Sequence, residues 1–322
     1  MVKRLVNWIL EESSVRHLVR ISRKLVIPGF DGMPLYDVLA FFIRSLQQGA
    51  LVTRASSLAF KFFLALFPAM IFLFTLLPYI PIEDFTDKLL IQLQFMLPEE
   101  AYQLSKDTVE DLAENRREGL LSFGFLFTIY LATNGINAMI EAFNQSILLA
   151  EKRNFIMQRL AALALMFILL FLAIIAMFLI IFSNIIIDKL MAIDLLHEGL
   201  EIWLVTAGKW LVILGFFYFS VSFIYYVGPS RKEKFRFFSA GSSLATLLII
   251  AVSYGFAYYV NHFGNYNKLY GSIGTLMVIM LWIYFNCLIL LMGFELNASI
   301  MGAKRDRRQN HLGSDPSPVP TT

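Results

Sequence analysis

The sequence predicts an all-α, polytopic integral membrane protein with six transmembrane helices and both termini on the cytoplasmic side. Three observations lead there. The 322-residue chain is 58% hydrophobic and only 16% charged, against about 45–50% and roughly 25% in soluble domains. The apolar residues gather in six blocks, each meeting the length of about 20 residues that a spanning helix needs. The basic residues alternate between connections. Of the 27 Lys and Arg, 19 lie in segments 1–57, 141–159, 228–236 and 298–322, and 6 lie in 81–118, 183–201 and 261–271. The basic side is the cytoplasmic one.

Segment 1–57 opens "MVKRLVNWILEE", an apolar run too short for a signal-peptide core, so no cleavage is expected. "VRHLVRISRKL" and "LYDVLAFFIRSLQQGAL" alternate apolar and charged positions at helical spacing. They predict amphipathic helices, either on the inner membrane surface or packed on the protein's own cytoplasmic face.

The membrane domain is placed at 58–301. Its spans are expected at Leu58–Ile80, Gly119–Ile140, Leu160–Phe182, Ile202–Val227, Phe237–Val260 and Ser272–Asn297. The first carries Lys61 near its start and Pro68 near its middle; proline lacks a backbone donor and bends a helix. Connection 81–118 holds ten acidic and four basic residues and reads as a short helical external cap. Pro98 before Glu99 and Glu100 suits a helix start. Residues 302–322 end "GSDPSPVPTT" and are expected to be a disordered cytoplasmic tail.

Signals for enzyme chemistry are poor. His17, His197, His262 and His311 are scattered, and "HEGLE" at His197 is the nearest approach to a metal set. There is no HEXXH, GXSXG or P-loop, and the single Cys287 allows no disulfide within one chain. The expectation is no catalytic, metal or cofactor site, no nucleic-acid partner and no enzymatic activity.

Polar residues inside spans carry the stronger signal, because burying them in hydrocarbon is costly. At 100° per residue, Asn134, Asn137, Glu141 and Gln145 form one stripe on the second span. Trp282, Asn286, Gly293 and Asn297 share a face of the sixth, with Glu295 nearly opposite. A helix polar on two sides belongs at the centre of the bundle. Lys61 lies at the depth of Glu295 and Glu141. It either pairs with one of them, Glu295 before Glu141, in a polar inward-open cavity, or reaches the headgroups by snorkelling. Lys61, Asn134, Asn137, Glu141, Asn286, Glu295 and Asn297 are thus the candidate intramembrane site. Ser239, Ser242, Thr246, Ser253 and Ala257 share a face of the fifth span and read as a close-packing seam. Lys209, in the outer half of the fourth, reads as snorkelling outward or meeting an anionic headgroup or the acidic cap.

"ASSLAFKFFLALFPAMIF", "YVGPSRKEKFRFFSAG", "YGSIGTLMVIMLWIYFN" and "LLMGFELNASI" resemble the YihY/virulence factor BrkB family of bacterial inner-membrane proteins. The resemblance runs from about Leu35 to Ile300. It rests most on Pro68, on Gly228 with Pro229, on Tyr270 with Gly271, and on Gly293, Glu295 and Asn297. Pro68, Pro229, Gly271 and Gly293 are read as hinge or turn positions. The resemblance implies six spans and a role in the cell envelope, including movement of lipids or other amphiphiles. Members have carried the name ribonuclease BN, which the absence of a clustered ligand set argues against. The expected function is non-enzymatic transport or handling of an amphiphilic, lipid-like substrate, with membrane lipids and an anionic amphiphile as the expected partners. A structural protein of an envelope complex is the alternative, and a lipid enzyme comes last. Oligomeric state is left open.

Overall fold

The computed structural model describes residues 25–26, 29–48, 50–75, 90, 106, 118–146, 153–192, 200–230, 236–262 and 272–313. Most of the external connection 81–118, all of the stretch "VRHLVRISRKL" but its last residue, Leu25, and Gly271 with its turn therefore lie outside the described residues. The described residues form seven helices: α1 (Leu35–Gln48), α2 (Leu51–Thr75), α3 (Glu118–Asn144), α4 (Phe155–Ala192), α5 (Leu200–Val227), α6 (Ala240–His262) and α7 (Ser272–Gly313). None of the described residues form a strand; Val26 and Pro34 make one isolated bridge. Helices α2 to α7 each contain a stretch long and apolar enough to cross a membrane.

These six helices pack as a ring, α2 on α3, α3 on α4, then α5, α6, α7 and back to α2. Helices α2 and α3 run antiparallel. Arg54 meets Ala142, Phe62 lies on Gly135, and Phe72 lies beside Gly124. Burial concentrates at one end, here called the Glu295 end. Leu51, Ala55, Leu58 and Ala59 of α2 are buried there with Met139, Ile140 and Phe143 of α3 and Tyr225 of α5. The Phe143 and Phe294 rings stack at 4.2 Å, and Tyr225 meets both edge-on. Three large rings thus fill the centre of the ring of helices. At the opposite end α6 and α7 leave Tyr254, Tyr258, Leu276 and Met277 exposed.

Helix α7 is buried at the Glu295 end, where its two polar faces meet α2 and α6, and is exposed at Leu281, Trp282 and Phe285 farther out. From Leu291 to Ile300 every residue is buried except half-buried Met292. One face packs on α6 at very short range. A Cβ on Gly241 would meet the Gly293 carbonyl at 2.1 Å, and a Cβ on Gly293 would meet the Gly241 carbonyl at 2.7 Å. Only glycine at both positions permits this approach. Ser242 and Thr246 are buried in the same seam.

Two helix boundaries that bear on the site differ from the sequence expectation. Helix α2 starts at Leu51, not Leu58, so Arg54 belongs to the first span; its charge does not end the helix because it is paired. Helix α7 does not stop near Met301 but runs to Gly313. "AKRDRRQ" is rich in good helix formers, Ala303 is buried, and Lys304 pairs with Asp31 at 3.3 Å. Helix α1 packs on the protein itself. Its Val38, with Phe30 and Met33, joins Leu296, Ile300 and Ala303 of α7 in one apolar cluster. Its far side exposes Leu39, Ile43 and Arg44. Pro68 is carried inside α2 and is buried.

Candidate functional site

The residues expected to share one cavity fall into three separate clusters. The first surrounds Glu295, which is fully buried. Its Oε1 accepts from Arg54 Nη2 at 2.7 Å, and its Oε2 accepts from the Ser146 hydroxyl at 2.8 Å. Arg54 Nη1 donates to the Ala142 carbonyl at 2.8 Å, while Arg54 Nε has no hydrogen-bond partner. Ser299 returns a hydrogen bond to the Glu295 carbonyl. A buried ion pair of this kind is tolerable because geometry and extra hydrogen bonds offset the desolvation of both charges. It ties α2, the end of α3 and α7 together.

Lys61 takes no part in it. Its side chain is exposed, and the carboxylate assigned to it is held by Arg54 instead. The correction has a simple cause. Arg54 lies seven residues before Lys61, so both fall on nearly the same face of α2. Arg54 is the one at the level of Glu295. The planar guanidinium suits a carboxylate and a carbonyl at once better than an ammonium does. Moving the span boundary seven residues earlier would have found it. At this level α2, α3 and α7 bury Arg54, Ala142, Ser146 and Glu295 against one another.

The second cluster joins α6 to α7. Asn297 Oδ1 accepts from the Gly241 backbone N–H at 2.8 Å, and its Nδ2 donates to the Ser239 hydroxyl at 2.9 Å. Ser239 in turn accepts from the Ser242 N–H at 3.1 Å. Together they satisfy orphan donors at the start of α6. Farther along, Trp282 donates to Ser253 at 3.3 Å, and Asn286 donates to the Trp282 carbonyl within its own helix. The polar face of the sixth span is therefore a packing face against α6.

The third cluster is the stripe on α3, and it meets α4. Arg159 donates to Asn134 Oδ1 in a short hydrogen bond. Its guanidinium also lies over the Tyr130 ring, 5.4 Å from the centroid. Gln158 donates to Asn137 Oδ1 at 2.9 Å, and Asn137 donates to Glu141 at 3.0 Å. Unlike the Glu295 cluster, this one is not sealed. Asn134, Asn137, Gln158 and Arg159 are half-buried and Glu141 and Gln145 are exposed. Tyr130, Ile156 and Leu160 around it are exposed. The sequence stripe found three of its members. Gln158 and Arg159 were missed because they open the next span and count, in a linear reading, as loop residues.

The turn after α5 is fastened from the same end. Arg153 donates to the Val227 and Pro229 carbonyls at 3.2 and 3.1 Å, and burial lowers its guanidinium from the ordinary value. Asn144 and Ser230 exchange two hydrogen bonds, side chain to side chain and backbone to side chain. Pro229 thus sits in a clamped turn. Among the described residues no group of three or more His, Cys, Asp or Glu is placed to hold a metal ion; His197 lies outside them.

The profile of the family described as Virulence factor BrkB matches residues 42–317. Ribonuclease-like protein YfkH of Bacillus subtilis is 34% identical over 261 residues, covering 79% of this chain and 91% of that protein. The UPF0761 membrane protein of Tolumonas auensis is 34% identical over 77 residues, 24% of this chain and 26% of that protein. A UPF0761 membrane protein of Xanthomonas campestris is 31% identical over 114 residues, 33% and 27% of the two chains. The chain thus spans about a quarter of the UPF0761 proteins it matches. No solved structure matches.

Proposed function

The chain belongs to the virulence factor BrkB family, and we propose that within it this protein binds and moves an anionic, lipid-like amphiphile without converting it chemically. The observation that carries this reading is the open polar cluster at Arg159. A cation and three amides stand in the wall of two spans, half-exposed and bordered by exposed apolar side chains. An amphiphile needs that combination: donors for a charged headgroup and an apolar flank for its chains. The Asn134 contact uses one of the five donors of the guanidinium. The others suit the oxygens of a phosphate or carboxylate. Glu141, next to Asn137, would repel a headgroup placed too far along the stripe, which fixes its position near Arg159.

The proposal places the protein in a bacterial inner membrane with both termini cytoplasmic, on the strength of the basic asymmetry. The Glu295 end is then the cytoplasmic end and Arg159 lies in the cytoplasmic half. A headgroup reaching Arg159 comes from the inner leaflet. The solid packing between α2, α3 and α7 favours passage along the α3–α4 flank over passage through the centre. That same solid packing also supports a second reading, a structural protein of an envelope complex.

The two readings separate in liposomes. Reconstituted protein with a fluorescent phosphatidylglycerol should speed its transbilayer movement, measured by dithionite quenching. Arg159→Gln should abolish the effect while the melting temperature stays near that of the parent. Native mass spectrometry should show retained lipid with headgroup selectivity. Unchanged lipid movement and no selective retention would favour the structural reading. For the non-enzymatic part, purified protein should not cleave RNA with any divalent metal. Metal-dependent cleavage lost on changing His197 or Glu198, and absent from mock purifications, would overturn it.

A further inference from the structure

We propose a second lipid site, a groove between α4 and α5 that holds one acyl chain of an anionic phospholipid whose headgroup phosphate meets Lys209. The site is separate from the Arg159 cluster and does not rest on it. The groove encloses about 390 Å³ and is lined by Leu172, Ile175 and Leu179 of α4 and by Leu211, Gly215 and Phe216 of α5. Its lining is hydrocarbon, and Leu211 remains 71% exposed. Glycine makes the floor. A Cβ on Gly215 would meet nothing within 4 Å, and the same holds for Gly208 two turns earlier on the same face. An open strip of backbone therefore runs along α5 where side chains would otherwise fill the space.

Lys209 stands at one end of this strip. Residues 209, 212, 216 and 219 follow helical spacing and share a face of α5. Lys209 is about 10 Å from the level of Phe216 at 1.5 Å rise per residue. It lies close to the start of the candidate span Thr206–Val227, with exposed Trp203 and Trp210 beside it. Tryptophans mark the level of the headgroups. The order along the groove is thus cation at the interface, then hydrocarbon toward the middle of the span. That order matches a phospholipid in the leaflet opposite the Glu295 end. Charge complementarity selects an anionic headgroup, and an ammonium has three donors, so a phosphate can join whatever contacts Lys209 already makes. A protein partner seated in the groove would require neither the cation at the interface nor its alignment with the strip.

The test uses the full chain in micelles mixed with dibrominated phosphatidylglycerol or dibrominated phosphatidylcholine. Bromine on the acyl chains quenches nearby tryptophan. A variant with Trp8, Trp203, Trp210 and Trp282 changed to Phe and with Phe216→Trp puts the one reporter in the lining of the groove. Phosphatidylglycerol should compete about fivefold better than phosphatidylcholine, the preference one lysine near a membrane surface provides. Lys209→Met should remove that preference and Lys209→Arg should keep it. Gly215→Phe should weaken quenching by both lipids. Native mass spectrometry of the chain with its natural tryptophans should show the same preference and the same losses, which covers the case in which the reporter variant fails to fold. Equal competition by the two lipids before and after Lys209→Met overturns the headgroup contact. Unchanged quenching in Gly215→Phe overturns the groove. A dimer that Gly215→Phe dissociates, with no lipid retained, shows that a second copy covers the groove and overturns the proposal.

Discussion

Arg54 and Glu295, 241 positions apart in the chain, form a fully buried ion pair with Nη2 and Oε1 at 2.7 Å. Ser146 completes the carboxylate and the Ala142 carbonyl takes a second guanidinium donor. The pair joins the first and last spans of the ring and lies within two residues of Asn297, which holds the start of α6. Three neighbouring helices of α7 are therefore fixed through one stretch of its sequence, and this sets what the protein tolerates there.

Breaking the pair from one side should be severe. Arg54→Met or Glu295→Gln leaves the other group buried and unsatisfied, at a cost of about 3–5 kcal/mol. The double substitution should recover much of that loss. Lys61→Met, at an exposed position, should be nearly silent and uncoupled to Glu295. Thermal stability in detergent across this cycle checks the claim, since coupling above about 0.3–0.5 kcal/mol separates contacting from independent sites. Silent Arg54→Met would refute the pairing.

Helix approach at Gly241 and Gly293 should be equally intolerant. Ala at either position puts a methyl against a backbone carbonyl and should cost about 1–3 kcal/mol by overpacking. Gly255→Ala, where a Cβ meets nothing within 4 Å, should be neutral or slightly stabilising, by up to about 1 kcal/mol. A Gly293→Ala protein that melts with the parent would contradict the close crossing.

The clamp on the turn after α5 predicts a local effect. Arg153→Ala removes two hydrogen bonds to the Val227 and Pro229 carbonyls. Hydrogen exchange at the Gly228 and Ser230 amides should accelerate while α2 and α7 stay protected. Asn144→Ala should act in the same place, because it strands Ser230. Acceleration spread over the whole chain would show that the clamp supports the bundle, not the turn.

Orientation is open to a labelling experiment. Cys287 is buried, and Cys287→Ser gives a cysteine-free background. Ser230 is buried too, so a cysteine there would report burial and not sidedness. Exposed Arg307 is the better position for one side, and Ser105 serves for the other. In intact cells with a permeabilised outer membrane, Ser105→Cys should react with an impermeant thiol reagent and Arg307→Cys should not. Reversed labelling would invert the orientation and move the Arg159 cluster to the outer leaflet.

The number of spans and their order were legible in the sequence, as was the burial of the last one at its Glu295 end. Those properties depend on hydropathy and helical period, which each segment carries locally: α7 has Asn297 and Glu295 on opposite faces whatever surrounds it. The sequence also placed the small-residue seam of α6 on a packing face: Ser242 and Thr246 are buried there, while Ala257 at the far end of the seam is exposed. Partners across helices were decided only by the tertiary structure. Lys61 and Arg54 share a face of α2 and are equivalent to any periodicity argument. What separates them is the axial offset between α2 and α7, which brings Arg54 and not Lys61 to the level of Glu295. Arg159 likewise has no value as a loop cation until α4 folds back against α3 and brings it to Asn134. A linear pattern fixes angle and depth on one helix, while the offset between helices is a property of side chains packing from all of them at once.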